Sequence, residues 1–263
     1  MEKIAIVTGA SGGIGREAAA ILRDRGCTVY DFSRSDKPQD GVRHIPCDVT
    51  DEASVRAAVD AVIGESGRVD ILVCCVGMGI SGAVEFTDPA DSYRQIDVNL
   101  FGTDRAVRAV LPYMRRQRSG RLVMTSSVAG VTPIPFQTWY SASKAAIISY
   151  SMALMNEVRP YHVGVAVVMP GDIKTGFTAA RRKSAAGNDE YSGRIERSVS
   201  KMEKDEQNGL PASYAGKIIA KAALRKRPKP LTSTGFVYSL LCTLAKIMPA
   251  RFAQWILYQL YAK

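Results

Sequence analysis

Several features that would place a protein in a specialised class are missing from this chain of 263 residues. It has no uninterrupted run of about 18 apolar residues, which a membrane-spanning helix would need. Its five cysteines form no CxxC pair and its two histidines are far apart, so no Cys/His metal site is predicted. The N-terminus lacks the basic flank and apolar stretch of a signal peptide. These absences predict a reduced, cytoplasmic protein without a bound metal.

Acidic residues are also missing from the C-terminal end of the chain. After Glu206 there are nine basic residues and no acid, whereas residues 1–175 hold 19 of each sign. The whole net charge of +10 therefore lies in the last third of the sequence. Such an excess indicates an anionic ligand, an anionic membrane surface or nucleic acid as the partner. Because no nucleic-acid-binding motif accompanies the charge, we predict no nucleic-acid partner.

Short apolar runs alternate with helical patterns up to about residue 175. The run Ile71-Leu72-Val73-Cys74-Cys75 is typical of a strand that is buried on both faces. This alternation predicts an α/β fold, a doubly wound Rossmann-type parallel sheet in a single domain over residues 1–230. Within it, the polar residues 176–208 are expected to be a substrate loop, either mobile or a pair of short helices. Residues 231–263 are expected to be an amphipathic helical extension.

A glycine-rich loop follows the first predicted strand, in the order Thr8-Gly9-Ala10-Ser11-Gly12-Gly13-Ile14-Gly15. Glycines at such a place permit a tight turn and a close approach of the backbone to phosphate. The helix that follows offers free N–H groups to a pyrophosphate. We therefore predict a dinucleotide site whose contacts include these loop residues: Gly9, Ser11, Gly13, Ile14 and Gly15.

The TGxxxGxG spacing of this loop resembles the short-chain dehydrogenase/reductase family more than the GxGxxG of other Rossmann proteins. The resemblance runs from about residue 3 to residue 177 and includes further motifs in the family's order: Asp48-Val49, Asn99, Ser127, Tyr140-x-x-x-Lys144 and Pro170-Gly171-Asp172-Ile173-Lys174-Thr175. One departure is Cys74-Cys75-Val76-Gly77, which stands where the family usually has NNAG. Only Gly77 is retained there, for close approach to the cofactor.

This resemblance implies roles for the individual motif residues. Asp48 and Val49 would contact the adenine, and the segment with Pro170, Gly171, Ile173 and Thr175 would contact the nicotinamide carboxamide. Ser127 would bind the substrate oxygen. Lys144 would hold the nicotinamide ribose, and Asn99 would anchor a water in a proton relay through Lys144.

Tyr140 and Lys144 also predict acid–base chemistry by their spacing, since residues four apart share one face of a helix. A phenol has a pKa of about 10, and a nearby ammonium lowers it. Tyr140 could then exchange a proton with a carbonyl or alcohol during hydride transfer. The catalytic set is predicted to be Asn99, Ser127, Tyr140 and Lys144. The alternative is a noncatalytic dinucleotide sensor or scaffold on the same fold, but an intact set favours the enzyme.

The choice of nicotinamide cofactor depends on the end of the second predicted strand. NAD binders place an acid there to bind the ribose hydroxyls. The position expected from the family's spacing is Ser33, followed by Arg34, and these two suit the 2′-phosphate of NADP(H). Asp31, two residues earlier, keeps NAD(H) as the less favoured alternative.

The substrate is predicted from weaker signals. A wall formed by Met78, Val128, Ile134 and Phe136 would be bulky and uncharged, with Ser127 and Tyr140 as the polar substrate contacts. The chain resembles the steroid and retinoid dehydrogenases and the carbonyl reductases of the family, which implies a steroid, a retinoid or a lipid-like carbonyl. In the family, the helices equivalent to residues 97–115 and 141–158 pair across a two-fold axis, so a homodimer or homotetramer is expected.

Two amphipathic helices are predicted in the C-terminal extension, on either side of Pro249. Apolar residues recur there three or four positions apart: Phe236, Leu240, Leu244, Ile247, Phe252, Trp255, Ile256 and Leu260. Each helix is too short to span a bilayer. The apolar faces could cover the substrate pocket and the core, or they could lie on a membrane surface. The sequence leaves both possibilities open.

Overall fold

A computed structural model describes residues 2–263 of the chain. Its strands are β1 (Lys3–Thr8), β2 (Cys27–Ser33), β3 (Val42–Pro46), β4 (Ile71–Cys74), β5 (Ile80–Ser81), β6 (Gly120–Thr125), β7 (Val163–Met169), β8 (Ile173–Lys174), β9 (Arg182–Lys183), β10 (Leu210–Pro211) and β11 (Leu231–Ser233). Its helices are α1 (Gly13–Asp24), α2 (Glu52–Ser66), α3 (Pro89–Ile96), α4 (Gly102–Gln117), α5 (Thr138–Val158), α6 (Phe177–Ala180), α7 (Arg194–Gln207), α8 (Ala212–Leu224), α9 (Phe236–Ile247) and α10 (Ala250–Tyr261).

Seven strands form one parallel sheet in the order β3-β2-β1-β4-β6-β7-β11. The chain winds outward from β1 to β3 on one side and from β4 to β11 on the other. The strand order therefore reverses between β1 and β4, and ligands of such sheets bind at the carboxyl ends of the strands at this point. The predicted doubly wound Rossmann-type fold is confirmed.

The sheet is buried on both faces because successive side chains of a strand point to opposite sides. In β1, Ile6 packs in the core beneath α2, α4 and α5, whereas Val7 packs in the core beneath α1 and α8. Gly216 allows α8 to cross close to α1, since a Cβ there would lie 2.7 Å from the Cβ of Glu17. Five helices thus cover a rigid sheet whose carboxyl edge carries the site.

The predicted substrate loop, residues 176–208, contains α6, β9 and α7. Two short parallel pairs connect it to the frame, β9 with β5 and β10 with β8. Inside it, the buried Arg181 forms an ion pair with Glu206 of α7, and the Thr178 hydroxyl donates to the same carboxylate at 2.6 Å. These contacts hold α6 and α7 together beside the carboxyl edge of the sheet.

The C-terminal extension consists of β11 at the edge of the sheet followed by α9 and α10. Helix α9 packs against β11, and α10 packs against α7. The Tyr238 hydroxyl of α9 donates to the carboxylate of Asp172 at 2.6 Å, which joins the extension to the site. Within residues 2–263, no helix is long and apolar enough to cross a membrane.

Candidate active site

The glycine loop connects the end of β1 to the start of α1. Gly9 and Gly13 have φ angles of 74° and 54°, a left-handed backbone that favours glycine. Gly15 has no room for a side chain, because a Cβ there would lie 2.4 Å from the carbonyl oxygen of Gly9. No side chain caps the N-terminus of α1, so its first N–H groups are free to bind an anion. The loop therefore fits the pyrophosphate of a dinucleotide.

Asp31 lies behind this loop rather than in the cleft. It is buried, and its Oδ1 accepts the N–H of Ala10 at 2.9 Å. Its Oδ2 accepts the Ser33 hydroxyl at 2.7 Å and lies 3.3 Å from Nδ1 of His44. The carboxylate is thus engaged in bracing the glycine loop. Ser33 reaches the cleft, with its hydroxyl directed to Asp31.

The end of the cleft expected to bind the adenosine carries both acidic and basic side chains. The N–H and hydroxyl of Thr50 donate to Asp48 at 2.9 and 2.7 Å, and the backbone bond is the main cause of a lowered Asp48 pKa. Arg34 lies near enough to lower that pKa further. Lys37 is a second exposed cation on the same wall as Arg34. The sequence analysis did not predict Lys37, since its position beside Arg34 depends on how the loop after β2 turns.

Tyr140 and Lys144 extend from the same part of α5. Nζ of Lys144 donates to the carbonyl oxygen of Thr125 at 3.1 Å and lies 5.8 Å from the centre of the Tyr140 ring. Desolvation lowers the pKa of Lys144 to about 8. The Ser126 hydroxyl donates to the Lys144 carbonyl at 2.7 Å. Gly130 permits this approach, because a Cβ there would lie 2.8 Å from the carbonyl carbon of Lys144.

The Ser127 hydroxyl lies near the Tyr140 side chain and donates to the carbonyl oxygen of Pro170 at 3.4 Å. Burial raises the pKa of Tyr140, and the nearby Ser127 hydroxyl opposes that effect. Among the nearby charges, Glu206 raises this pKa and Arg181 lowers it. The sequence suggested that Lys144 lowers it, whereas in the structure desolvation outweighs the charges. A phenol in this state keeps its proton at neutral pH and is suited to donate it.

Asn99 is buried in the π-helical turn Asp97–Phe101 between α3 and α4. Its Oδ1 accepts the N–H of Met78 at 2.8 Å, and its Nδ2 donates to the Ser143 hydroxyl at 3.0 Å. Asn99 does not itself line the cleft. It lies close behind the wall, since a Cβ on Gly77 would be 3.4 Å from both Asn99 Oδ1 and Lys144 Nζ. Asn99 therefore positions the loop after β4 next to the ammonium of Lys144.

The sequence departure at residues 74–77 leaves this loop well connected. Cys74 is in the core, and Sγ of Cys75 lies 3.3 Å from the hydroxyl of Thr125. Burial raises the pKa of Cys75 to about 11, so its thiol is protonated at neutral pH. Gly9 lies against Val76, whose N atom would be 3.1 Å from a Cβ on Gly9. These packing and hydrogen-bond contacts stand where the family usually has asparagine side chains.

The segment after β7 joins three parts of the site. The N–H of Val128 donates to the carbonyl of Pro170 at 2.9 Å, which fixes the turn that carries Ser127. The N–H of Gly171 donates to the Thr234 hydroxyl at 2.9 Å. The ring of Tyr238 covers Gly171 so closely that a Cβ would lie 2.4 Å from it. The C-terminal extension is therefore part of the wall of this site.

One cleft of about 1380 Å³ runs from the glycine loop to the C-terminal helices. It brings together every predicted cofactor residue except Asn99: Gly9, Ser11, Gly13, Ile14, Gly15, Ser33, Arg34, Asp48, Val49, Gly77, Tyr140, Lys144, Pro170, Gly171, Ile173 and Thr175. Of the predicted substrate residues, Ser127, Val128 and Tyr140 line it. Phe136 does not. Its ring packs 5.6 Å from that of Tyr191, in a small core with Ile195 of α7.

Several lining residues were not predicted as site residues. Asp172 and Glu206 line the cleft near Tyr140. Others belong to α9 and α10, namely Tyr238, Leu241, Leu257, Leu260 and Tyr261. The periodic apolar pattern of the C-terminal extension is the sequence feature that could have identified these residues of α9 and α10. Asp172 lies within the motif at residues 170–175 but was given no role there, and no sequence pattern identified Glu206, which reaches the cleft through the packing of α7. Among residues 2–263, no cluster of His, Cys, Asp and Glu could hold a metal ion.

The fold and this constellation can be compared with known proteins. The model of the short chain dehydrogenase family matches residues 3–186. The chain belongs to the short-chain dehydrogenase/reductase family. It is therefore an oxidoreductase that acts on carbonyl or alcohol groups, which decides between an enzyme and the noncatalytic alternative.

A member of this family from Bacteroides thetaiotaomicron, a 3-ketodihydrosphingosine reductase, is 40% identical over 264 residues, covering 99% of this chain and 98% of the relative. Two solved family structures show the fold. One from Burkholderia phymatum, in complex with NAD, has a TM-score of 0.80 at 23% identity over 92% of each chain. One from Burkholderia cenocepacia J2315, in complex with NADP, has a TM-score of 0.77 at 20% identity over 96% of each chain. The fold is thus compatible with either nicotinamide cofactor.

Proposed function

We propose that this protein reduces the ketone of a long-chain 2-amino ketone to an alcohol, with NADPH as the reductant. The observation that carries the proposal is the 40% identity to a 3-ketodihydrosphingosine reductase over nearly the full length of both chains. The ketone group of that compound lies between an amine-bearing carbon and a long alkyl chain. Such a substrate needs a proton donor, a counter-ion for the ammonium and an apolar channel. It falls within the lipid-like carbonyls expected from the sequence and replaces a steroid or retinoid as the specific candidate.

The proton donor is Tyr140. A bound nicotinamide supplies the hydride to the carbonyl carbon. The Tyr140 phenol donates its proton to the carbonyl oxygen, and the Ser127 hydroxyl binds the same oxygen and holds it beside the phenol. Because its pKa is raised, Tyr140 keeps the proton until negative charge develops on the substrate oxygen. Lys144, 5.8 Å from the ring centre, then stabilises the phenolate.

The preference for NADPH rests on two cations that line the cleft and on one acid whose carboxylate is hydrogen-bonded outside it. Arg34 and Lys37 line the adenosine end of the cleft, where several N–H donors can bind a 2′-phosphate. Asp31, the acid that would select NAD, is buried and hydrogen-bonded to Ala10 and Ser33. It has no free oxygen directed at a ribose hydroxyl in the cleft. These contacts support NADPH over NADH.

Asp172 is the proposed counter-ion for the substrate ammonium. It lines the cleft, and burial is the main cause of its raised pKa, to which Asp205 and Glu206 add by repulsion. Glu206 is neutralised by Arg181, but within residues 2–263 no lysine or arginine forms an ion pair with Asp172. A desolvated carboxylate beside other acids is stabilised by an incoming cation. The amine-bearing carbon adjoins the carbonyl, so an ammonium is held near Tyr140.

The alkyl chain has an apolar route out of the cleft. Met78, Val128 and Ile134 line the wall near the catalytic residues, as the sequence analysis expected. Phe177 of α6 continues this wall, with its ring 5.8 Å from that of Tyr140. Leucines of α9 and α10 line the outer part. Burial of the chain along this surface contributes about 25 cal/mol per Å² of apolar area.

The test compares three ketones by NADPH oxidation: a long-chain 2-amino ketone, the same ketone without the amine, and a steroid ketone. We expect kcat/KM to be highest for the amino ketone. Asp172→Asn should raise KM for the amino ketone about tenfold or more, because a charge-assisted contact contributes about 1.5–3 kcal/mol. The KM for the ketone without the amine should be unchanged.

Asp189→Asn is the matched control, since Asp189 is exposed and outside the cleft. Equal losses on both long-chain ketones in Asp172→Asn would refute the ammonium contact. A higher kcat/KM for the steroid than for either long-chain ketone would refute the proposed substrate class.

A further inference from the structure

Helices α9 and α10 expose their apolar faces to solvent. In α9, the inward face is formed by Tyr238 and Cys242, which pack near β7 and β11. On the opposite face, the side chains of Phe236 and Ile247 are 81% and 73% exposed. Other exposed apolar residues on that face are Val237, Leu240, Leu241 and Leu244. The more apolar side of the helix is thus directed away from the protein, which is the reverse of ordinary packing on a core.

Helix α10 exposes apolar side chains as well. Trp255 is 55% exposed, and Phe252 stacks on it with ring centres 6.0 Å apart. Tyr258 is exposed one turn further along. Protein surfaces that face only water rarely expose so many apolar side chains together. Such a surface marks a contact with a partner or a membrane.

The charge around these helices has one sign. Lys246 and Arg251 are exposed on either side of the link between α9 and α10, and Lys263 is exposed at the end of α10. Four further exposed cations precede β11, namely Arg225, Lys226, Arg227 and Lys229. No acidic residue occurs after Glu206 to offset them.

Three of the four acids of the neighbouring helix α7, Glu203, Asp205 and Glu206, are paired within the protein, and the fourth, Glu196, is exposed near the start of that helix. Glu203 binds Lys183 at 2.7 Å, and Asp205 lies 3.4 Å from Lys201. Because these acids are engaged with other groups, they do not neutralise the cations around α9 and α10. An anionic surface is the complementary partner.

The same two helices form the rim of the substrate cleft. Leu241 of α9 and Leu257 and Leu260 of α10 line the cleft. Leu241 and Leu260 are also exposed to solvent. The exposed apolar surface is therefore continuous with the cleft, so a lipid chain can pass from one to the other without crossing water.

We propose that α9 and α10 dock this enzyme on an anionic lipid bilayer. The helices lie in the plane of the interface, with Phe236, Ile247, Phe252 and Trp255 among the acyl chains and the cations at the headgroups. The mouth of the cleft then opens into the bilayer, where a long-chain substrate is dissolved. This docking goes beyond the proposed reaction and does not depend on it. It also involves different helices from the pairing of residues 97–115 and 141–158 that the sequence analysis expects.

The first test is sedimentation of the full chain with vesicles of phosphatidylcholine containing phosphatidylglycerol. We expect binding that requires phosphatidylglycerol and weakens as salt is raised from about 0.05 to about 0.5 M, because ions screen the cations. Ile247→Ser with Trp255→Ser should weaken binding about tenfold or more, since each removes apolar area from the interface. Val84→Ser with Tyr214→Ser is the matched control, because both side chains are exposed elsewhere on the protein.

The second test separates docking from catalysis and from self-association. None of the four mutated residues lines the cleft, so NADPH oxidation with a short, water-soluble ketone should be unchanged in both double variants. Turnover of a long-chain ketone in vesicles should fall only in the Ile247/Trp255 variant. A full chain that stays in the supernatant at low salt overturns the docking, whether or not the proposed reaction is found. A loss of dimer mass in that variant, without vesicle binding by the wild type, assigns the surface to a second copy and also overturns it.

Discussion

Residues 1–175 and residues 176–263 differ in their charge and in the contacts that their side chains make. The first region has balanced charge, and its site residues are fixed by short contacts to backbone, as Asn99 is to Met78 and Lys144 is to Thr125. The second region carries the entire net charge of +10 and directs apolar side chains such as Phe236 outward. The comparison indicates that the first region supplies fixed geometry for the site, whereas the second region supplies an exposed contact surface.

The two regions should also differ in their tolerance of substitution. A Cβ cannot be added at Gly15 without moving backbone, and backbone has little freedom inside a parallel sheet. Side chains on the outer face of α9, such as Phe236 and Ile247, are mostly exposed to solvent. Substitutions in the first region should therefore affect catalysis, cofactor binding or folding, and those on the outer face of α9 and α10 should affect only surface contacts.

The largest effect is expected from Tyr140→Phe, which removes the proton donor and leaves the ring packing against Phe177. We expect kcat to fall at least about 100-fold, the scale of general acid–base catalysis. NADPH affinity and the melting temperature should stay close to the wild-type values. Turnover near that of the wild type would show that another group supplies the proton.

The next effect is expected from Arg34→Ala combined with Lys37→Ala. NADPH affinity should fall about 10- to 100-fold, since the two exposed cations together are expected to contribute about 1.5–3 kcal/mol of charge-assisted contact. NADH affinity should change little, because NADH has no 2′-phosphate. Arg25→Ala is the control, as Arg25 is exposed and outside the cleft. Equal losses for the two cofactors, measured by fluorescence titration, would show that these cations do not select NADPH.

Gly15→Ala should destabilise the fold itself. The added Cβ would lie 2.4 Å from the carbonyl oxygen of Gly9, so we expect a loss of about 1–3 kcal/mol in the free energy of unfolding. Gly12→Ala provides a close control, since Gly12 has extended backbone and no atom within 4 Å of the added Cβ. Denaturant unfolding without cofactor measures both. Equal stability of the two variants would mean that the loop relaxes at little cost.

The smallest effect is a pH dependence of stability due to Lys144. Its pKa is about 8 in the fold, whereas a lysine in the unfolded chain has the ordinary value of 10.5, so the unfolded chain binds more protons between these values. Wild-type stability should therefore gain about 1 kcal/mol from this group between about pH 7 and pH 9. Lys144→Met lacks that gain, so the stability of the variant relative to the wild type should decrease over this range. If the difference in melting temperature between Lys144→Met and the wild type is the same at pH 7 and pH 9, the lowered pKa of Lys144 is contradicted.

Sequence reasoning was most successful where local spacing determines geometry. The glycine loop, the Tyr140-x-x-x-Lys144 pair and the alternation of strands and helices depend on contacts near in the chain, and the structure places the loop and the pair in one cleft. It was least successful where a side chain could turn either way. Phe136 was expected in the pocket wall, and its ring instead packs beneath α7 against Tyr191.

The sequence by itself determined the family and the parallel α/β fold, because these follow from motifs of fixed spacing and from periodicity; the catalytic set stays a prediction. Only the tertiary structure decided which side of α9 meets solvent, because an amphipathic pattern defines a face without saying what that face contacts. It also decided that Asp172 lacks a basic partner among residues 2–263 while Glu206 has Arg181. Such pairings join residues distant in the chain, and they exist only after the helices have packed.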